Sequence, residues 1–212
     1  MISVEALLHC TKGTPESHAR ATPILETPAI QEQTCCIFLV DGSGSVTGDD
    51  FNCMTSFMIQ VAEYAAETDT PTHLGVIQFS NDVQVEATPL LVDKDASQFR
   101  DVVLGMHRMN GGTNIALAVQ KAGVLFKNMP LSKSRRVIAL LTDGRVDSYQ
   151  VREARDMVSR LADEEHIAVM HAFGVGRGVD KQELIRIISG ACGEYEAINN
   201  YLPLLVLDDA PW

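Results

Sequence analysis

No apolar run in this chain of 212 residues approaches the ~18–20 residues that a membrane-spanning helix requires, which excludes a helical transmembrane protein. Basic residues are scarce: 17 Lys+Arg against 28 Asp+Glu leave a formal charge of −11. That balance excludes the broad attraction to nucleic acid or anionic membrane that clustered Lys and Arg provide. The five cysteines, Cys10, Cys35, Cys36, Cys53 and Cys192, are odd in number and include no C-x-x-C, so they fit neither a disulfide framework nor a zinc site. No Asn lies in an N-x-[ST] sequon, and the start MISVEALLHC has no basic stretch and carries Glu5 inside its apolar run. These absences favour a cytoplasmic setting, unless the chain is a fragment of an extracellular protein. Also missing are G-x-x-x-x-G-K-[ST] and G-x-S-x-G, which removes a P-loop and a hydrolase elbow.

What is present is the composition of one globular domain with room for a tail: 46% of residues are apolar and 21% charged. Residues 1–33 hold two Thr-Pro steps and no sustained periodicity, and are expected to form an extended N-terminal arm or linker. From residue 34 onwards buried strands alternate with amphipathic helices. The runs 35–40, 73–80, 136–142 and 167–176 are strand-like, and 83–90 alternates like a strand returning antiparallel after the Asn81-Asp82 turn. Helical spacing covers 49–67, about 95–105, 115–127, 150–165 and 180–188, followed by a short strand near 194–197 and an apolar stretch at 201–207. Cys35 and Cys36 are adjacent in a strand, so they point to opposite faces as small core residues. The pattern predicts a doubly wound, mostly parallel, Rossmann-like α/β sheet with one antiparallel edge strand and helices on both faces, over 34–212.

In such sheets ligands bind beyond the carboxyl ends of the strands. The loops beginning at Asp41 and Asp143 both leave such ends, and the loop around Thr113 opens a helix and can reach the same edge. Together Asp41, Ser43, Ser45, Thr113 and Asp143 offer hydroxyl and carboxylate oxygens with no Cys or His. That is a hard set, suited to Mg²⁺, Mn²⁺ or Ca²⁺. Two nearby carboxylates repel unless a cation lies between them. An ion held mainly by neutral hydroxyls keeps much of its charge and seeks an outside anion, most simply an Asp or Glu of a protein partner.

Asp41-Gly-Ser-Gly-Ser, with Gly111-Gly-Thr-Asn and Thr142-Asp-Gly at these separations, resembles a von Willebrand factor type A domain and its metal-ion-dependent adhesion site (MIDAS). The resemblance covers about 35–207. It implies direct metal binding by Ser43 and Ser45, binding by Thr113 directly or through water, and outer positions for Asp41 and Asp143. It implies cell adhesion or complex assembly rather than catalysis, with an acidic protein ligand and no membrane insertion. It also places a closing helix near 201–207, and makes Cys10 and Cys192 candidates for the cysteine pair found near the ends of extracellular members.

Three other readings compete. A dinucleotide site fails because Thr47 replaces the third glycine of G-x-G-x-x-G and Asp41 would repel pyrophosphate. A phosphotransferase using Asp41 as nucleophile has only Arg145 as an obvious basic partner. A scaffold using other surfaces, with a structural metal, remains open. His73 and His171 are expected to be packed strand residues, not ligands. Asp147 is expected to be a helix-start acid, and Arg108 and Arg145 either surface charges or contacts for an acidic partner.

Overall fold

The computed structural model describes residues 33–129, 134–165, 169–176 and 179–189. The expected N-terminal arm, the strand near 194–197, the segment 201–207 and both Cys10 and Cys192 lie outside these residues. The described elements are β1 (Gln33–Asp41), α1 (Gly48–Glu67), β2 (Thr72–Phe79), β3 (Val83–Val92), α2 (Ser97–Leu104), α3 (Ile115–Lys127), β4 (Ser134–Thr142), α4 (Ser148–Glu165), β5 (Val169–Gly174) and α5 (Lys181–Ile188).

They form a five-stranded sheet of order β3-β2-β1-β4-β5. β1 pairs in parallel with both β2 and β4, β4 pairs in parallel with β5, and β3 alone runs antiparallel, at the edge. The central strand β1 is buried from Thr34 to Asp41, as its unbroken apolar run requires when helices cover both faces. β3 is a half-exposed edge strand, and its Pro89 lies where the pairing with β2 shifts register between Leu74 and Val76.

Alternation along the strands sends residues to two cores. Cys36, Phe38 and Val40 of β1 pack with Val76, Ala139 and Phe173 under α1 and α2. Cys35, Ile37 and Leu39 pack with Ile77, Leu140 and Ala172 under α3, α4 and α5. The two adjacent cysteines therefore enter different cores, and burial pushes the Cys35 thiol up to about 12 and Cys36 higher still. Three helix starts are capped by side chains: Thr47 accepts from Asp50 N before α1, Asn114 from Leu117 N before α3, and Asp180 from Gln182 N and Glu183 N before α5. Among the described residues no helix is long and apolar enough to cross a membrane.

Candidate metal centre

The sheet order fixes where a site can form. From β1 the chain moves through α1 to β2 on one side, and it later returns to β4 on the other side. The crevice at the carboxyl ends of β1 and β4 is thus the point where the winding reverses, and such points receive ligands. Asp41 is the last residue of β1, and Asp143 follows the last residue of β4.

Both carboxylates are buried, Asp41 with 0% of its surface exposed and Asp143 with 4%. Asp41 Oδ1 accepts from Ser43 N at 2.8 Å, and its Oδ2 accepts from Thr142 Oγ1 at 2.5 Å. The Thr142 hydroxyl in turn accepts from Gly144 N at 3.0 Å, so one threonine joins the two acidic loops. Burial holds the Asp41 carboxyl above the usual carboxylate range; hydrogen bonds from Thr142 and Ser43 oppose this, and the charge of Asp143 adds to it. Asp143 Oδ1 accepts from Arg145 N at 3.0 Å, but its Oδ2 is buried without a hydrogen-bond partner. Arg145 Nε approaches that oxygen only to 3.9 Å, from a side chain that is 58% exposed. In front of Asp41 the hydroxyls of Ser43 and Ser45 converge to 3.1 Å.

The third loop is tied to the first by its backbone. Asn110 N donates to Gly42 O at 2.7 Å and Gly44 N donates to Gly111 O at 2.8 Å, giving a parallel bridge between Ser43 and Gly111. Asn81 Oδ1 accepts from Gly112 N, and Ser80 O accepts from Asn114 N. Thr113 lies between these anchors, half-buried, at the start of α3. Four of the five expected residues therefore meet at one sheet edge, and the fifth sits on a loop bonded to theirs.

Several supports escaped the sequence reading. Gln78, fully buried on β2, accepts from Met109 N at 2.8 Å and donates to His107 O and to Glu86, fixing the approach to the third loop. A lone Gln between Ile77 and Phe79 was a usable signal, because a buried amide must find partners. Arg108 was expected at the surface or on a partner; instead its Nη1 donates to Ser43 O and Val46 O, clamping the serine loop from within the chain. The two glycines of that loop differ. A Cβ on Gly42 would lie 2.2 Å from Gln78 Oε1, whereas one on Gly44 would make ordinary contact at 3.5 Å, so only Gly42 is needed for close approach. Asp147 immediately precedes α4 and its carbonyl accepts from Val151 N, as a helix-start residue does.

The chemistry of this edge fits a hard cation. The donors gathered there are two buried carboxylates, one with an unpartnered oxygen, and a pair of hydroxyls, all of them oxygens. Among the described residues no three His, Cys, Asp or Glu side chains are grouped so that they could hold a metal ion. His171 is 4% exposed beside Phe173, and burial together with Arg135 lowers it to about 4; His73 is half-buried in β2.

A mixed, mostly parallel sheet with helices on both faces and its loops gathered at one edge is the type A architecture. Solved structures share it: BatB from Bacteroides thetaiotaomicron (TM-score 0.62, 16% identity, 74% of this chain and 86% of that one), and proximal thread matrix protein 1 of the mussel byssus with zinc-occupied MIDAS motif (TM-score 0.59, 23% identity, 75% and 42%). Residues 36–200 match the von Willebrand factor type A domain, and the chain belongs to that family. Mouse matrilin-4 is 33% identical over 158 residues, 69% of this chain and 23% of its own length. The mouse collagen alpha-6(VI) chain is 29% identical over 177 residues, 80% of this chain and 7% of its own. The chain thus spans less than a quarter of either relative.

These relatives are matrix proteins, not enzymes. They overturn the cytoplasmic expectation: matrilins, collagen VI chains and vitrin are extracellular, and kinship with them points to an extracellular setting. The features behind that expectation (start, sequons and cysteine parity) describe a stretch far shorter than its relatives.

Proposed function

We propose that the domain binds another protein through a divalent cation held by Ser43, Ser45 and Thr113, with Asp41 and Asp143 behind them. A cation bound there supplies positive charge and a coordination position open to an Asp or Glu of the partner. The observation carrying this reading is the buried Asp143 Oδ2 without a hydrogen-bond partner, beside a second buried carboxylate and two converging hydroxyls. An unpartnered buried carboxylate oxygen is costly, and a cation relieves it. The zinc-occupied motif of the mussel protein supports a dication in this fold; the all-oxygen set favours Mg²⁺, Mn²⁺ or Ca²⁺ here. Asp41 orients the serine loop by accepting Ser43 N, and Thr142 keeps its carboxylate fixed. The family kinship with matrilins and collagen VI supports a matrix or adhesion partner.

The test is capture of partners from an extracellular-matrix extract by the immobilised domain. Binding in Mg²⁺ that is lost in EDTA, and lost in Asp41→Ala and Thr113→Ala variants with unchanged circular dichroism, is the expected result. Capture that survives chelation and both substitutions contradicts the reading.

A further inference from the structure

Asn110, on the third loop of the metal edge, is the one asparagine of this chain that is followed by glycine. The fold dictates both members of the pair. Asn110 has a φ of +60°, a left-handed conformation that Gly and Asn tolerate best. Gly111 is packed so closely that a Cβ there would collide with Ser80 Oγ and press on Asn81 Nδ2 at 2.9 Å. An Asn-Gly step is chemically labile in water, because no side chain shields the glycine nitrogen from the asparagine amide and the glycine backbone turns freely. Little protects the step here. Asn110 is exposed, and among the described residues its side chain makes no hydrogen bond. The bonds that fix the turn use Asn110 N and Gly111 O, not Gly111 N. Its neighbours differ: Asn81 accepts from Gly112 N, and Asn114 caps α3 by accepting from Leu117 N.

We propose that Asn110 deamidates spontaneously in the folded chain, and that the products reset the strength of the cation edge. Gly111 N attacks Asn110 Cγ, and the new N–Cγ bond closes a succinimide ring. The Cγ–Nδ2 bond breaks, and Nδ2 leaves as ammonia with the proton from Gly111 N. Water then adds at either ring carbonyl: cleavage at Cγ gives Asp, and cleavage at the backbone carbonyl gives isoaspartate. Nothing is oxidised or reduced, and water is the sole co-reactant. The effect on the ion rests on the cation reading above. A Cβ on Gly44 would lie 3.6 Å from Asn110 Oδ1, so an Asp there sets a new carboxylate beside the loop carrying Ser43 and Ser45. Isoaspartate instead inserts a backbone carbon between Asn110 N and Gly111 O, the atoms that anchor this loop to Gly42 O at 2.7 Å and Gly44 N at 2.8 Å. Those two bonds no longer match in spacing, and Thr113, two residues past Gly111, loses its fixed place. The ion site is thus firmer in the Asp form and looser in the isoaspartate form.

The test incubates the intact chain at body temperature in mildly alkaline buffer, folded and in urea, and maps its peptides by mass spectrometry. The folded chain is expected to exchange amide for acid at residue 110, with part of the product methylated by an isoaspartyl methyltransferase, while Asn81 and Asn114 keep their amides. Conversion in urea with Asn110 intact in the folded chain overturns the proposal. Mn²⁺ uptake, read from the free-ion electron paramagnetic resonance signal, tests the consequence. Asn110→Asp is expected to bind Mn²⁺ roughly two- to fivefold more tightly than the fresh wild type. The isoaspartate fraction, isolated by chromatography, is expected to bind it roughly tenfold more weakly. Asn110→Gly keeps the left-handed turn without an amide to lose, and its Mn²⁺ affinity is expected to be the same before and after incubation. Equal affinity in the fresh wild type, Asn110→Asp and the isoaspartate fraction overturns the link to the ion and leaves the cation reading standing. A fresh wild type that takes up no Mn²⁺ overturns the cation reading and the ion effect with it, whereas the mass change at residue 110 still decides the chemistry.

Discussion

Replacing Asp41 by Asn separates a carboxylate kept for an ion from one kept for the fold. The Asn Oδ1 still accepts from Ser43 N, a bond of 2.8 Å, while its Nδ2 faces Thr142 Oγ1, now the acceptor of that 2.5 Å contact. Thr142 Oγ1 already accepts from Gly144 N, leaving one lone pair for the amide. Exchanging a charge-assisted bond for a neutral one costs about 1 kcal/mol. Against that loss, the variant removes a buried charge that burial and Asp143 both disfavour. In EDTA the variant should therefore lie within about 1 kcal/mol of the wild type. With Mg²⁺ at 100 times its dissociation constant the wild type gains about 2.7 kcal/mol, or roughly 5–10 °C in Tm for a chain of this size. A tenfold weaker site takes about 1.4 kcal/mol off that gain in the variant. Scanning calorimetry with and without Mg²⁺ reads both quantities. A loss above about 3 kcal/mol in EDTA, or an undiminished Mg²⁺ gain, refutes the assignment of Asp41 to the cation.

Gly42→Ala places a methyl 2.2 Å from Gln78 Oε1 and forces that amide from its bonds to Met109 N and His107 O; denaturant unfolding should show a loss of about 2–3 kcal/mol. Gly44→Ala, with its Cβ in ordinary contact, should cost far less in the same assay. Burial lowers His171 to about 4 in the folded chain, whereas the unfolded chain titrates near the ordinary imidazole value of about 6.5. The unfolded state then binds the extra proton first as pH falls, so stability is flat above about pH 6.5 and declines towards pH 4, by up to roughly 3 kcal/mol from this one group. Urea melts across that range should show this slope, and His171→Leu should flatten it.

The reach of sequence reading follows the range of the interactions involved. The helix at 115–127 coincides with α3, because Asn114 and the spacing of Ile115, Ala118, Val119 and Ala122 are local signals. β1 and β4 are longer than their apolar cores, since Gln33 and Thr34 pair with Ser134 and Arg135, and strand ends are set by partners distant in the chain. Asp41, Ser43 and Ser45 were legible because one tight loop carries them all. Thr113 and Asp143 became legible once strand ends were known to share an edge. The partners of Thr142, Gln78 and Arg108 were not, because their hydrogen bonds span 101, 29 to 31, and 62 to 65 residues of sequence. Location in the organism was misread for a different reason: the start of the chain, the sequon scan and the cysteine count carry no information about the setting in which this fold works.

Mn²⁺ titration of the intact chain, followed by the electron paramagnetic resonance signal of the free aqua ion, addresses the cation directly. One saturable site in the wild type, weakened at least about tenfold in the folded Ser43→Ala/Ser45→Ala double variant, is the expected result. A wild type that takes up no Mn²⁺, or a double variant that takes it up equally well, contradicts the assignment.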